Sequence, residues 1–151
     1  MTPGPLPRRA SAQDEGAIRD LVRAAYALYV PRIGREPAPM TDDYAARIAA
    51  GEAWVVEENG ALLAVLVLED FPDSLQLDNI AIAPAAQGRG LGRALIAFTE
   101  AEARHRGYAK VTLYTNEKMV ENLALYPRLG FIETHRAPQA GFARIFYEKP
   151  V

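Results

Sequence analysis

The stretch LDNIAIAPAAQGRGLGRALIAFTEAEARHR, residues 77–106, constrains the fold more than any other part of the chain. Its first part is an apolar, β-branched run that reads as a strand. Its last part carries Leu91, Ala94, Leu95, Phe98 and Ala101 at helical spacing. Between them stand Gly88, Gly90 and Gly92. Glycine is entropically expensive to order, so this density at a strand-to-helix junction needs a reason at the level of the backbone. The first N–H groups of a helix have no intrahelical acceptors and lie at the positive end of the macrodipole. Glycine lets an anion approach them with no Cβ in the way, and Arg89 and Arg93 add full charge. The loop therefore reads as a cradle for a phosphate or pyrophosphate; a turn that only packs helix on strand is the plainer alternative. Two familiar phosphate loops fail on spacing. A P-loop needs Gly-Lys-Ser/Thr where Gly92-Arg93-Ala94 stands, and a dinucleotide fingerprint needs glycine where Arg93 stands.

The rest of the chain supplies alternating strands and helices. LPRRA is at most a short first strand. Ser11 and Asp14 form an acidic variant of a capping box before a helix expected over residues 13–29, with Ile18, Leu21, Val22, Ala25 and Leu28 on one face. Residues 31–40, PRIGREPAPM, read as an irregular loop, and Thr41 as the cap of a second helix stopped by Gly51. AWVVEE and ALLAVLVLED flank Asn59-Gly60, a strong hairpin signal. After the helix that follows the glycine loop come a strand KVTLYT, a helical stretch KMVENLALY, and two strands, GFIETHR and FARIFYEKP, joined by PQAG. The expected order is β-α-α-β-β-β-α-β-α-β-β, a mixed α/β fold around one mainly antiparallel sheet.

Composition narrows the function. The 151 residues fit a single domain, 1–151, with residues 1–5 expected to be disordered. Basic and acidic residues number 17 and 19, for a net charge of −2, which carries no nucleic-acid footprint. The absence of cysteine excludes disulfides, thiolate metal sites and a cysteine acyl-enzyme, and the two histidines form no metal signature. No apolar run reaches ~18 residues, and the N-terminus lacks a signal-peptide core, so a cytoplasmic protein without membrane partners is expected.

Gln87, Gly90 and Gly92 fit the pattern [Q/R]-x-x-G-x-[G/A], and LALYPRLGF, residues 123–131, follows after an intervening strand. Together with the element order, these motifs make the chain resemble the Gcn5-related N-acetyltransferases, the GNAT superfamily, over nearly its whole length. The resemblance implies a sheet whose fourth and fifth strands are parallel and splayed. It also implies that acetyl-CoA is the co-substrate, with no metal. Its pyrophosphate would lie on Gln87, Gly88, Arg89, Gly90, Leu91, Gly92 and Arg93, and its pantetheine along the backbone of Ile80, Ala81 and Ile82. The N–H of Ile80 would polarise the thioester carbonyl.

The resemblance further implies that Tyr126 protonates the departing thiolate, as a neutral phenol can. Pro127 departs from the family pattern and should kink or end the helix at that point. A second departure puts Met119 where the family commonly has asparagine, while Asn122, one turn before Tyr126, stands as a substitute that could face the cofactor. Asp78 is the candidate base, alongside a bound water. Asp78 and Asn79 put a polar residue on each face of an apolar strand, and such groups cost stability unless they are partnered. Tyr26 and Tyr29 close the first helix before the segment that, by analogy, walls the acceptor pocket. Tyr26, Tyr29, Asp78 and Asn79 are thus the expected acceptor-binding residues. The implied activity is direct transfer of acetyl to a primary amine of a small molecule or peptide. The alternatives are a non-catalytic acyl-CoA sensor and a protein N-terminal or lysine acetyltransferase. Family members are often dimers, which leaves a homodimer open.

Overall fold

Seven strands hydrogen-bond in the order β1-β2-β3-β4-β5-β7-β6 in the computed structural model, which describes residues 5–151. The strands are β1 (Arg8–Arg9), β2 (Ala53–Glu58), β3 (Ala61–Asp70), β4 (Leu75–Ile82), β5 (Lys110–Asn116), β6 (Ile132–Gln139) and β7 (Phe142–Pro150). The helices are α1 (Glu15–Tyr26), α2 (Val30–Ile33), α3 (Tyr44–Ala49), α4 (Leu91–His105) and α5 (Val120–Arg128). β4 and β5 are parallel, with Leu75–Leu77 aligned on Val111–Leu113, and β5 and β7 are antiparallel. The mixed sheet is that expected, and so is the element order apart from the short extra helix α2. Of residues 1–5, expected to be disordered, residues 1–4 lie outside the described residues.

The chain divides into two compact units, and β4 and α4 each contribute to both. The first is Met1–Leu68 with Asn79–Leu95. In it, Ile18, Leu21 and Val22 of α1 and Tyr44 of α3 pack with Val55, Val65, Val67 and Ala81 of the sheet. The β2–β3 turn has Asn59 at φ +54° and Gly60 at φ +80°, the twist-matched conformation that Asn-Gly favours. The second unit is Glu69–Asp78 with Ile96–Val151. There Tyr126 of α5 lies 5.8 Å, centroid to centroid, from Tyr147 of β7.

Several local expectations are corrected. The first helix ends at Tyr26 and passes through a 3-10 turn, Ala27–Tyr29, into α2, so the PRIGREPAPM segment opens helically. Pro31 is tolerated because it occupies the first turn of α2, where an N–H would have no helical acceptor in any case. Asp43, not Thr41, caps α3, accepting from the Ala46 N–H at 3.1 Å. On α4 the buried residues are Leu91, Leu95, Ile96, Thr99 and Ala103, while Ala94 and Ala101 are exposed. The last hairpin turns at Ala140-Gly141, and Pro138 lies within β6, an edge strand where a missing N–H is harmless.

Pro127 sits inside the last turn of α5, which ends one residue later at Arg128, close to where proline was expected to kink or end the helix. The helix closes beyond it in a Schellman motif, with the Phe131 N–H donating to the Tyr126 carbonyl (3.1 Å) and the Gly130 N–H to the Pro127 carbonyl (3.1 Å). Gly130 is left-handed, at φ +93°, and the Phe131 ring packs on Tyr126 at 5.9 Å.

Candidate active site

In the first unit, β4 runs out through Ala83 into a 3-10 turn, Pro84–Ala86, and then into the glycine loop. Gly88 and Gly90 adopt φ +83° and +79°, which L side chains resist, and a Cβ added there or at Gly92 would meet nothing within 4 Å. The glycines therefore satisfy dihedral demands and leave open space. The first helical bond of α4 runs from the Ala94 N–H to the Gly90 carbonyl at 3.1 Å, so the N–H groups of Leu91, Gly92 and Arg93 precede the ladder. Gln87, Arg89 and Arg93 are exposed, and Leu91 turns inward to the core. Arg89 forms a fork on the Glu58 carboxylate at 3.1 and 3.3 Å, so its charge is partly neutralised. The arrangement fits a diphosphate: bare amides, an accessible helix start and adjoining cations.

Upstream on β4, Ala81 is buried, while Ile80 and Ile82 are half-buried. Asn79 is the buried polar residue of this stretch, 3% exposed. Its Nδ2 donates to the Tyr44 hydroxyl at 3.1 Å, and its Oδ1 accepts from the Tyr26 hydroxyl at 2.7 Å. The Tyr44 hydroxyl donates onward to the Pro39 carbonyl. Tyr26 also lies 3.1 Å from the Ile80 carbonyl. Two of the expected acceptor-binding residues, Tyr26 and Asn79, thus bond each other. Tyr29 packs on Tyr26, ring centroids 6.1 Å apart, and the Arg32 guanidinium lies over the Tyr29 ring, 5.3 Å from its centroid.

In the second unit, Asp78 is half-buried, and its Oδ1 accepts from the Tyr114 hydroxyl at 3.2 Å and the Gln76 amide at 3.3 Å. β4 and β5 are in register up to Leu77 and Leu113, so Asp78 and Tyr114 are the next residues along each strand. Gln76 also lines an open cavity of about 430 Å³ with Thr112, His135 and Phe146. Asn122 donates to the Thr115 hydroxyl at 3.1 Å, which ties α5 to β5. Tyr126 is 4% exposed, between the rings of Phe131 and Tyr147.

Sequence reading missed Tyr44, Gln76 and Tyr114 as partners of the chosen residues. Strand alternation could have offered Gln76, two before Asp78. Tyr114 becomes visible only once the parallel register of β4 and β5 is known.

Residues 17–131 match the Acetyltransferase (GNAT) family. The chain is 31% identical over 137 residues to YjgM, an uncharacterized N-acetyltransferase of Escherichia coli strain K12, covering 84% of this chain and 81% of that one. It is 37% identical over 76 residues, 50% of this chain and 51% of the other, to the [ribosomal protein bS18]-alanine N-acetyltransferase of the same strain. Among solved structures, yncA of Salmonella typhimurium, with its cofactor acetyl-CoA, superposes with a TM-score of 0.72 at 23% identity, covering 98% and 94% of the two chains.

Proposed function

The chain belongs to the acetyltransferase (GNAT) family and is an acetyl-CoA-dependent acyltransferase, and from that premise we propose that it moves acetyl directly onto a primary amine of a small molecule or peptide. The observation that carries the reading is the glycine loop, whose bare N–H groups open onto space at the start of α4. These amides, with Arg93 beside them, take the diphosphate. The Ile80 N–H donates to the thioester oxygen as negative charge grows there. The amine must arrive neutral. Its lone pair forms the new C–N bond as the C–S bond breaks, Asp78 accepts the amine proton, and the Tyr126 phenol supplies a proton to the thiolate. Gln76 and Tyr114 hold the Asp78 carboxylate in orientation for that step.

A thiol-release assay with acetyl-CoA against amines, amino acids, polyamines, aminoglycosides and peptides tests the reading. Thiol should appear only when an acceptor is present. Tyr126→Phe keeps the ring packing and should lower kcat by about 10²-fold or more while leaving CoA affinity in place. Tight CoA binding with silence across every amine class would replace the enzyme with an acyl-CoA sensor.

A further inference from the structure

Arg144 of β7 is 8% exposed, and arginine is almost never so buried unless it is paired. Its partners here are neutral. One guanidinium nitrogen donates to Gln139 Oε1 at 2.6 Å, and the group lies 4.1 Å from the Tyr114 ring centroid and 5.6 Å from that of Phe142. Among the described residues no carboxylate pairs with it. Stacking on two rings and one amide bond offsets part of the cost of desolvating a cation, and leaves most of the fork's donors uncommitted. Those donors are not sealed: none of the guanidinium nitrogens is a fully buried atom lacking a partner. The guanidinium is thus covered on its faces and wet at its edge, the geometry of a socket for a planar anion.

Its neighbour gives the socket a context. The ring that stacks on Arg144 is the one whose hydroxyl donates to Asp78. A carboxylate suited to an ammonium and a guanidinium suited to an anion are therefore held on one phenol, and Gln76, which donates to that carboxylate, lines the open cavity. We propose that Arg144 binds the carboxylate of the acceptor, so that the enzyme acetylates free amino acids, with the amine at Asp78 and the carboxylate at Arg144. This rests on the acetyl-transfer reading above and narrows its acceptor to amines that carry a carboxylate.

The experiment compares the common amino acids with their carboxamides, by calorimetric binding to the full chain and by thiol release. CoA binding is measured in parallel. The best acid should bind about tenfold or more tightly than its amide, the scale of a charge-assisted hydrogen bond. Arg144→Gln should erase that preference, Arg144→Lys should restore part of it, and neither should change CoA affinity. Equal binding of acid and amide, or a preference that survives Arg144→Gln, overturns the assignment. Weakened CoA binding in Arg144→Gln also overturns it, because the anion would then be a phosphate of the cofactor. Should Arg144→Gln fail to fold, the acid-against-amide comparison on the parent chain decides alone. If no amino acid binds or is acetylated while CoA binds normally, the assignment falls and acetyl transfer to another amine stands. Loss of CoA binding in the parent chain would instead remove the acetyl-transfer reading itself.

Discussion

At Gly88 and Gly90 the backbone occupies φ +83° and +79°, whereas Gly92 lies in the first turn of α4 with no such constraint. The three glycines therefore respond differently to a methyl group. Gly90→Ala should cost about 1 kcal/mol of stability through its left-handed backbone, read by urea denaturation. Gly92→Ala should leave stability unchanged or raise it by about 0.5 kcal/mol, since alanine is the better helix former. The same variant should weaken CoA by about tenfold, because its Cβ meets nothing in the protein and points into the space assigned to the ligand. Opposite signs for folding and binding would mark Gly92 as a ligand-facing position. At this scale the loop was legible in the sequence because glycine spacing encodes backbone geometry directly. Asp78 was legible as a polar break in an apolar strand. Arg144 was not, because a single arginine in FARIFYE looks like any solvated strand residue until the β5–β7 register sets it on Tyr114.

Element ends carry much of the local specification. Arg8 forms a fork on the Asp14 carboxylate at 2.9 and 3.0 Å, and the Ser11 N–H donates to it at 2.7 Å, at the entry to α1. The hydrogen bonds from Arg8, reinforced by Ser11 and opposed by burial, draw the Asp14 pKa down from 3.8 to about 2. A carboxyl depressed in the folded state stabilises above its unfolded pKa and loses that contribution as pH falls through the folded value. Asp14→Asn should thus be less stable than the parent by about 1–2 kcal/mol near neutral pH, with the difference closing between about pH 4 and pH 2 in urea titrations. At the other end of the chain, Gly130→Ala should cost more than about 1 kcal/mol, because φ is +93° and the new Cβ would stand 3.0 Å from Lys149 Cε. The capping box and the Asn59-Gly60 turn were readable because side-chain chemistry decides them locally. Pro127 marked the end of α5 to within one residue, whereas the Schellman closure that satisfies the Tyr126 and Pro127 carbonyls was not read, because its signal, Gly130 and Phe131, lies three to four residues downstream. Thr41 yielded to Asp43 because the 3-10 turn at Ala38–Thr41 shifts the start of α3.

Across the whole chain, the order of elements followed from periodicity, while the pairing of β4 with β5 had to come from the family resemblance. Parallel neighbours are joined here through α4, and nothing local in either strand encodes their register. No helix among the described residues is long and apolar enough to cross a membrane. A ligand that binds the folded chain stabilises it by mass action, about 2.7 kcal/mol at a hundredfold excess over Kd. CoA should accordingly raise the melting temperature by several degrees for a chain of this size, measured by calorimetry. The Gly92→Ala chain should need more CoA to reach the same rise.

Tyr26 and Tyr44 both end on the amide of Asn79, one from each side of the segment 27–43. That span is consequently anchored at its two ends to a single strand residue, and from within by the Tyr44 hydroxyl on the Pro39 carbonyl and the Arg23–Glu36 pair. Replacements inside the span that spare those contacts should leave its anchorage on the strand intact.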